Sequence, residues 1–306
     1  MADRQLSDDL FFLPLWAWGE KEAAPIVEKI FPLDSSLWQS YSHGEELGEG
    51  GCGLVKLGSV DGKPTAIKKG SRVSMNSFYV ACEAAVMKAL DHPNIVRFHC
   101  AVAWLMHVYI AMEYMDGGDL SELMMRRSCC DESLIAIVMR EVLKGLVYMH
   151  GKNYAHCDIK PENIFLSRSG EVKIGDLGCA KDVRVGDRVK LRGTELFMPP
   201  ESQNGICSTA RDIWALALTA IDLFTGELPF EDDPSESARY YHSTKSSPPV
   251  PKNISTEFKE FLTLALQNDW KKRATAQDLL DLPFIKDAPP TSALIPMIPT
   301  KKFYSF

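Results

Sequence analysis

An excess of basic charge is missing from this sequence: 34 lysines and arginines stand against 41 aspartates and glutamates in 306 residues, a formal net charge of −7. Proteins that coat nucleic acid carry the opposite balance, so nucleic acid is not an expected partner. No Cys-x-x-Cys occurs among the eight cysteines, which gives neither the ligand spacing of a zinc framework nor the sign of a disulfide scaffold. Reduced thiols in the cytoplasm, or in the nucleus, are the expectation. The apolar run Leu10 to Trp18 is too short to cross a bilayer and contains Pro14. Asp3, Asp8 and Asp9 sit where a secretory signal needs positive charge. A Met-Gly start and a C-terminal prenylation box are absent too, so membrane insertion is not expected. Internal repeats are also lacking.

What is present is ordinary for a soluble globular protein: 45% hydrophobic and 25% charged residues, with length for one large or two moderate domains. Residues 1–40 read as an N-terminal extension with an aromatic cluster of Phe11, Phe12, Trp16, Trp18 and Trp38. Residues 41–115 suit short strands plus one helix. A hairpin is predicted from Glu46 to Leu57, a tight turn at Val60-Asp61-Gly62-Lys63, a strand over Thr65 to Lys69 and a helix over Phe78 to Leu90. Residues 116–286 are mainly helical. Leu134, Val138, Val142, Leu146 and Met149 recur at helical spacing between Ser133 and His150. Ile213 to Thr225 predicts a buried helix capped by Gly226. Pro289, Pro290, Pro296 and Pro299 predict an extended tail over 287–306. The fold class is therefore α+β, a strand-rich lobe followed by a larger helical lobe, with a cleft between them.

Leu47-Gly48-Glu49-Gly50-Gly51-Cys52-Gly53-Leu54-Val55 contains Gly-x-Gly-x-x-Gly. Glycines let a backbone approach phosphate oxygens where a Cβ would obstruct. A dinucleotide fold would open a helix at the last glycine, whereas Leu54 to Leu57 reads as a strand, so the glycines sit on a hairpin. Lys68 follows at a strand end, and Glu83 lies on the next helix. A lysine that meets phosphates needs an anion to hold its flexible stem, and Glu83 is placed for that. His156-Cys157-Asp158-Ile159-Lys160-Pro161-Glu162-Asn163, with Asp176-Leu177-Gly178 after it, completes the set. Asp158 suits a general base, Lys160 a charge-balancing cation, and Asn163 and Asp176 are hard oxygen donors suited to Mg²⁺. Either of the last two alone would be a polar turn; together with the base and both lysines they are the apparatus of phosphoryl transfer.

The order of these motifs resembles the eukaryotic protein kinase family. Further matches are Met112-Glu113-Tyr114-Met115, Gly117-Gly118-Asp119-Leu120, Gly193-Thr194, Pro199-Pro200-Glu201, Asp212-Ile213-Trp214 and Lys272-Arg273-Ala274. The likeness covers roughly Tyr41 to Lys286. It implies a bilobal kinase fold with ATP in the cleft, Mg²⁺ as the metal (Mn²⁺ able to substitute) and a protein substrate. By the same resemblance Asp119 meets the ribose, Met112 is the gatekeeper, and Glu113 and Met115 offer backbone groups to adenine. Val55, Ala66 and Phe165 sandwich its ring. Glu201 and Arg273 would form a buried ion pair, with Asp212 an anchor of the helical lobe. Lys160 with Thr194 matches the serine/threonine branch, and Gly193 to Met198 looks most like its sterile-20 and MAP-kinase-cascade groups.

Departures from the family pattern carry the regulatory reading. Leu177 stands for phenylalanine and Pro199 for alanine, both tolerable. Cys157 replaces an arginine that commonly pairs with a phosphate on the activation loop, a charge-assisted bond no cysteine makes. The loop itself, Cys179 to Arg192, holds no serine, threonine or tyrosine. Both halves of that switch are missing, so loop phosphorylation is not expected to activate the protein. Pairs of Asp182 or Asp187 with Arg184, Arg188 or Lys190 are expected to order the loop instead. Packing, rather than redox chemistry, is the expectation for Cys157, Cys52, Cys129 and Cys130, because a sensor needs exposure and a lowered pKa. The N-terminal aromatic cluster is expected to dock on its own domain, with a regulatory partner as the alternative. The hydroxyl-rich segment Ser235 to Ser247 reads as a surface loop. An active kinase is favoured over a pseudokinase scaffold because Lys68, Asp158 and Asp176 are all retained. A small-molecule kinase is disfavoured by the peptide-docking segment Gly193 to Glu201.

Overall fold

Runs of alternating side chains, broken by glycine and by Asp61-Gly62, build the first of two units. In the computed structural model, residues 35–50, 53–71, 75–104, 107–126, 130–185, 192–228, 239–241, 243–244 and 246–298 are described. Helix α1 (Ser36–Ser42) precedes β1 (Glu45–Gly50), β2 (Gly53–Val60), β3 (Lys63–Ser71), α2 (Met75–Ala89), β4 (Phe98–Trp104) and β5 (His107–Glu113). The strands form an antiparallel sheet ordered β1-β2-β3-β5-β4.

Successive strand residues face opposite ways, and that divides the labour of β3. Ile67, with Tyr109, Ala111 and Val102, is buried beneath Leu37 and Tyr41 of α1. Lys68 turns to the other face, where α2 lies with Val80, Ala84 and Met87 buried at helical spacing. Leu37 and Tyr41 are one helical turn apart, and Tyr41 meets Tyr109 edge-on at 5.5 Å. The boundary expected at residue 40 therefore falls inside α1, whose apolar side belongs to this core. Of the aromatic cluster, Trp38 is exposed on α1, while Phe11, Phe12, Trp16 and Trp18 lie outside the described residues.

The second unit holds α3 (Leu120–Arg126), α4 (Glu132–Gly151), β6 (Tyr154–Ala155), β7 (Ile164–Leu166), β8 (Val172–Ile174), β9 (Lys181–Asp182), α5 (Ala210–Thr225), α6 (Thr256–Ala265), α7 (Ala276–Leu280) and α8 (Pro283–Lys286). Strands β6 and β9 pair, as do β7 and β8. Helix α4 starts where Asp131 accepts a hydrogen bond from Leu134 N at 2.9 Å, the usual N-cap arrangement. Its buried Leu134, Val138, Val142, Leu146 and Met149 form the apolar stripe the sequence shows. Helix α5 ends at Gly226, whose φ of 73° and N–H to Asp222 O make a left-handed cap. Trp214, Phe258, Phe261 and Leu262 fill the core between α4, α5 and α6.

Residues His92–Ile95 belong to this unit, although the sequence places them in the strand-rich segment. Asn94 explains why: its Nδ2 donates to Glu141 Oε2 and to Val172 O, both at 3.0 Å, and its carbonyl accepts from Ile174 N. The tail also differs from expectation. Within the tail expected to be extended, Thr291–Met297 forms 3₁₀ turns, with Leu294 and Ile298 buried in the second core. Proline's fixed φ suits such turns, and two apolar anchors hold them down. No helix among the described residues is long and apolar enough to cross a membrane.

Candidate active site

In the first unit, register aligns the expected residues on one face. Val55 pairs with Lys68, and Ala66 with Met112, on neighbouring antiparallel strands. The glycine motif lies on the β1–β2 hairpin, with Gly50 opposite Gly53, Glu49 opposite Leu54 and Gly48 opposite Val55; Leu47 sits at a bulge, and Gly51 and Cys52 lie outside the described residues. The chain continues as strand, not helix, after Gly53. Lys68, 5% exposed, places Nζ at 2.9 and 2.8 Å from the two carboxylate oxygens of Glu83, itself 1% exposed. Burying a charged group is costly unless it is paired; Glu83 is the partner that holds the lysine in place. At the end of β5, Glu113 N donates to Arg97 O at 2.9 Å, and its carboxylate accepts from Arg97 N at 3.1 Å.

In the second unit, the stretch 156–163 folds into a loop that ends in the 3₁₀ turn Pro161–Asn163. Asp158 Oδ1 accepts from Thr194 N at 2.8 Å, and Oδ2 accepts from Asn163 Nδ2 at 3.1 Å. The same amide nitrogen reaches Asp158 O at 2.7 Å. Both of these side-chain bonds of Asn163 are thus made by its amide nitrogen, and both go to Asp158. Lys160 is half-buried beside them. Asp176 adopts a left-handed conformation, φ 51° and ψ 72°, with its carboxylate accepting from Gly178 N, while Leu177 is buried where the family places phenylalanine. Met115 accepts from Gly118 N through its carbonyl. Asp119 Oδ1 accepts from Ser121 Oγ and Glu122 N, capping α3, and Phe165 bridges to Asp119 across the backbone.

Asp212 holds this loop in place. Its carboxylate accepts from Cys157 N and His156 N at 2.8 Å and lies 2.9 Å from His150 Nε2. Burial alone would raise its pKa, but the His150 hydrogen bond, the His150 and His156 charges and the Cys157 N–H outweigh that and hold it below the ordinary 3.8. Cys157 can thus keep a φ of 71°, which costs a non-glycine residue of order 1–3 kcal/mol. Arg273 meets Glu201 through two parallel bonds of 2.7 and 3.0 Å, with its guanidinium 5.0 Å over the Trp214 ring.

Sequence reasoning missed two contributors, and a bystander beside them. His156 is fully buried, its ring bonding Gly175 O and Asp158 N. Arg211, 2% exposed, donates through Nη2 to Cys157 O at 3.2 Å and to Arg192 O at 3.1 Å. Its signal was a cation opening an apolar helix. Cys207 lies 3.8 Å from Cys157, sulfur to sulfur, and nothing in the sequence marks it. Of the expected loop pairs, Asp182 with Arg184 is present, two nitrogens of Arg184 on the carboxylate of Asp182; Asp187, Arg188 and Lys190 lie outside the described residues.

The family model described as Protein kinase domain matches residues 41–285. Serine/threonine-protein kinase pakA of Dictyostelium discoideum is 35% identical over 257 residues, 81% of this chain and 22% of that protein. Mitogen-activated protein kinase kinase kinase 3 of Arabidopsis thaliana is 33% identical over 269 residues, 84% of this chain and 44% of the relative. Serine/threonine-protein kinase CST20 of Candida albicans is 36% identical over 225 residues, 71% and 18% of the two chains. The chain spans less than half the length of each of these relatives. With the hairpin glycines, the Lys68–Glu83 pair and the Asp158–Asn163 loop on a sheet and a helical unit of the matching kind, the chain belongs to the protein kinase family.

Proposed function

We propose that the protein is an ATP-dependent serine/threonine protein kinase, which moves the γ-phosphoryl group of ATP to a hydroxyl of a protein substrate. The observation that carries this is Asp158, fixed at both carboxylate oxygens by Thr194 N and Asn163 Nδ2. A carboxylate has about four lone-pair sites, so each oxygen can still accept from a substrate hydroxyl. Asp158 orients that hydroxyl and takes its proton as the new P–O bond forms and the bond to the ADP oxygen breaks. Lys160 balances charge on the group in transfer. Lys68, held by Glu83, meets the α- and β-phosphates. Glu113, whose N–H is spent on Arg97, offers adenine its carbonyl; Met115, whose carbonyl is spent on Gly118, offers its N–H.

The donor set fits Mg²⁺: an amide oxygen from Asn163 and a carboxylate from Asp176. Among the described residues no three His, Cys, Asp or Glu side chains gather as a cage, as suits an ion that draws its other ligands from water and phosphate. When bound, that ion neutralises charge across the β- and γ-phosphates. The relatives named as serine/threonine kinases support the hydroxyl class of the acceptor.

The finer part of the proposal is that phosphate on the activation loop is not the switch. Residues 179–192 lack hydroxyls, and the far end of the loop is docked without one: Arg211 ties Arg192 O to Cys157 O, and Thr194 N binds the base. Arg211 thus supplies, from α5, the cation that position 157 lacks. An assay with Mg²⁺ and ATP on a peptide library, run beside Asp158→Asn, tests the reaction. The wild type should phosphorylate serine and threonine, with the variant at least 100-fold slower and still binding ATP. Equal, near-zero turnover in both would instead favour a pseudokinase scaffold. Stoichiometric, activating phosphate between residues 179 and 194 would overturn the regulatory half.

A further inference from the structure

Cys157 and Cys207 have no part in the chemistry above, yet fifty residues apart in sequence their sulfurs lie 3.8 Å apart. Their surroundings differ. Cys157 is 5% exposed, and its thiol also reaches Ala155 O at 3.5 Å. Cys207 is partly exposed, on the segment that leads into α5. Two buried cations face the pair, Arg211 and Lys181, with Asp212 the opposing carboxylate. The hydrogen bond shared with Cys157 lowers the Cys207 thiol to about 7; burial opposes this, and the charges of Arg211 and Lys181 assist. Cys157 is pushed well above its ordinary value by that same hydrogen bond and by burial. The more accessible sulfur is thus the one biased toward thiolate, and the buried one, biased toward thiol, lies beside it. A sensing thiol requires that combination of lowered pKa, access and an adjacent second thiol.

We propose that Cys207 and Cys157 are a redox modification site whose oxidant is a hydroperoxide, and that their disulfide shuts down the catalytic loop. The Cys207 thiolate attacks one peroxide oxygen; the S–O bond forms, the O–O bond breaks, and the departing oxygen takes a proton and leaves as water or alcohol. Cys157 sulfur then attacks the Cys207 sulfenic acid, giving up its proton as the S–O bond breaks and a second water leaves. Two thiols and one hydroperoxide become one disulfide, one water and the alcohol (a second water for hydrogen peroxide); sulfur loses two electrons and the peroxide gains them. A disulfide is about 2.05 Å long, so the two sulfurs must close by more than an ångström. Cys157 precedes Asp158 directly, and its backbone is clamped between Asp212 and Arg211. Closure must shift that clamp or the 206–209 segment. Misplacing a catalytic group by about 1 Å costs on the order of 100-fold.

The loss of turnover rests on the proposed kinase activity, whereas the linkage does not, so the experiment reads both. The reduced full chain is titrated with hydrogen peroxide, its remaining thiols are alkylated, and it is digested without reductant for mass spectrometry. The expected result is a Cys157–Cys207 linked peptide at peroxide levels that leave Cys82 and Cys100 reduced, with turnover down at least 10-fold and restored by dithiothreitol. Cys207→Ser should keep basal turnover and melting temperature and resist the same peroxide; Cys207→Ala repeats the comparison without a hydroxyl. In Cys157→Ser, the trapped sulfenic acid should map to Cys207. Linkage of Cys157 to Cys179 instead, or oxidation spread evenly over all cysteines, overturns the site. A Cys157–Cys207 linkage that leaves turnover unchanged overturns the shutdown.

Discussion

Gly193 admits no side chain: its φ is 128°, and a Cβ there would lie 2.4 Å from the carbonyl oxygen of Cys157. Neither the loop around Cys157, clamped by Asp212, nor Arg192, held by Arg211, can give way cheaply. Gly193→Ala should therefore lift Thr194 N from Asp158 and lower kcat by about 100-fold, while ATP binding measured by calorimetry stays near wild type. Asp212 makes a second prediction at this scale. Its folded pKa is depressed, so its contribution to stability is complete above the ordinary 3.8 and is lost as pH falls below that value through the folded one. Urea midpoints from pH 7 to pH 3 should fall more steeply for wild type than for Asp212→Asn, which has no carboxylate to protonate. These residues were partly legible in sequence. Asp158, Asn163 and Asp176 stand out by spacing, whereas Arg211 and Cys207 act across about fifty residues with no periodicity to announce them.

Helices whose boundaries are written locally were readable; those held by distant contacts were not. Helix α4 carries its own N-cap and an apolar stripe, and α5 its own glycine stop. Helix α1 and the 3₁₀ turns at 291–297 exist because Leu37 and Leu294 find apolar surface elsewhere in their units, and no local signal says so. The proline-rich tail misled for the same reason, since proline's φ suits extended chain and 3₁₀ turn alike. Elements also cap one another. Ser255 opens α6 by accepting from Phe258 N, and donates its own N–H and hydroxyl to Glu132 in the first turn of α4. Ser255→Ala removes the cap and one bond to Glu132 together, and should cost about 1–2 kcal/mol, read as a lower urea midpoint at an unchanged slope.

At the scale of the whole chain, nucleotide is expected to stabilise. With Mg²⁺ and ATP at about 100 times Kd, stability should rise by about 2.7 kcal/mol, seen as a higher melting temperature. Chelation of the metal, or Asp176→Asn, should remove most of that rise; no rise in the wild type would count against nucleotide binding. The two units differ in how their parts are spread along the chain. The sheet unit is complete once β5 is made. The helical unit borrows Asn94 from upstream, to satisfy Glu141 and Val172 O, and takes Leu294 and Ile298 from far downstream. Its core thus spans roughly two hundred residues of synthesis, about 10–40 s at ribosomal rates of about 5–20 residues per second. Only the last part of that interval exposes the core: from Trp214 to Ile298 synthesis takes about 4–17 s, during which Trp214, and later Phe258, lack the last pieces of their cover. A growing chain in that state offers a chaperone an apolar surface to hold, and this is the stage at which the protein is most exposed to aggregation.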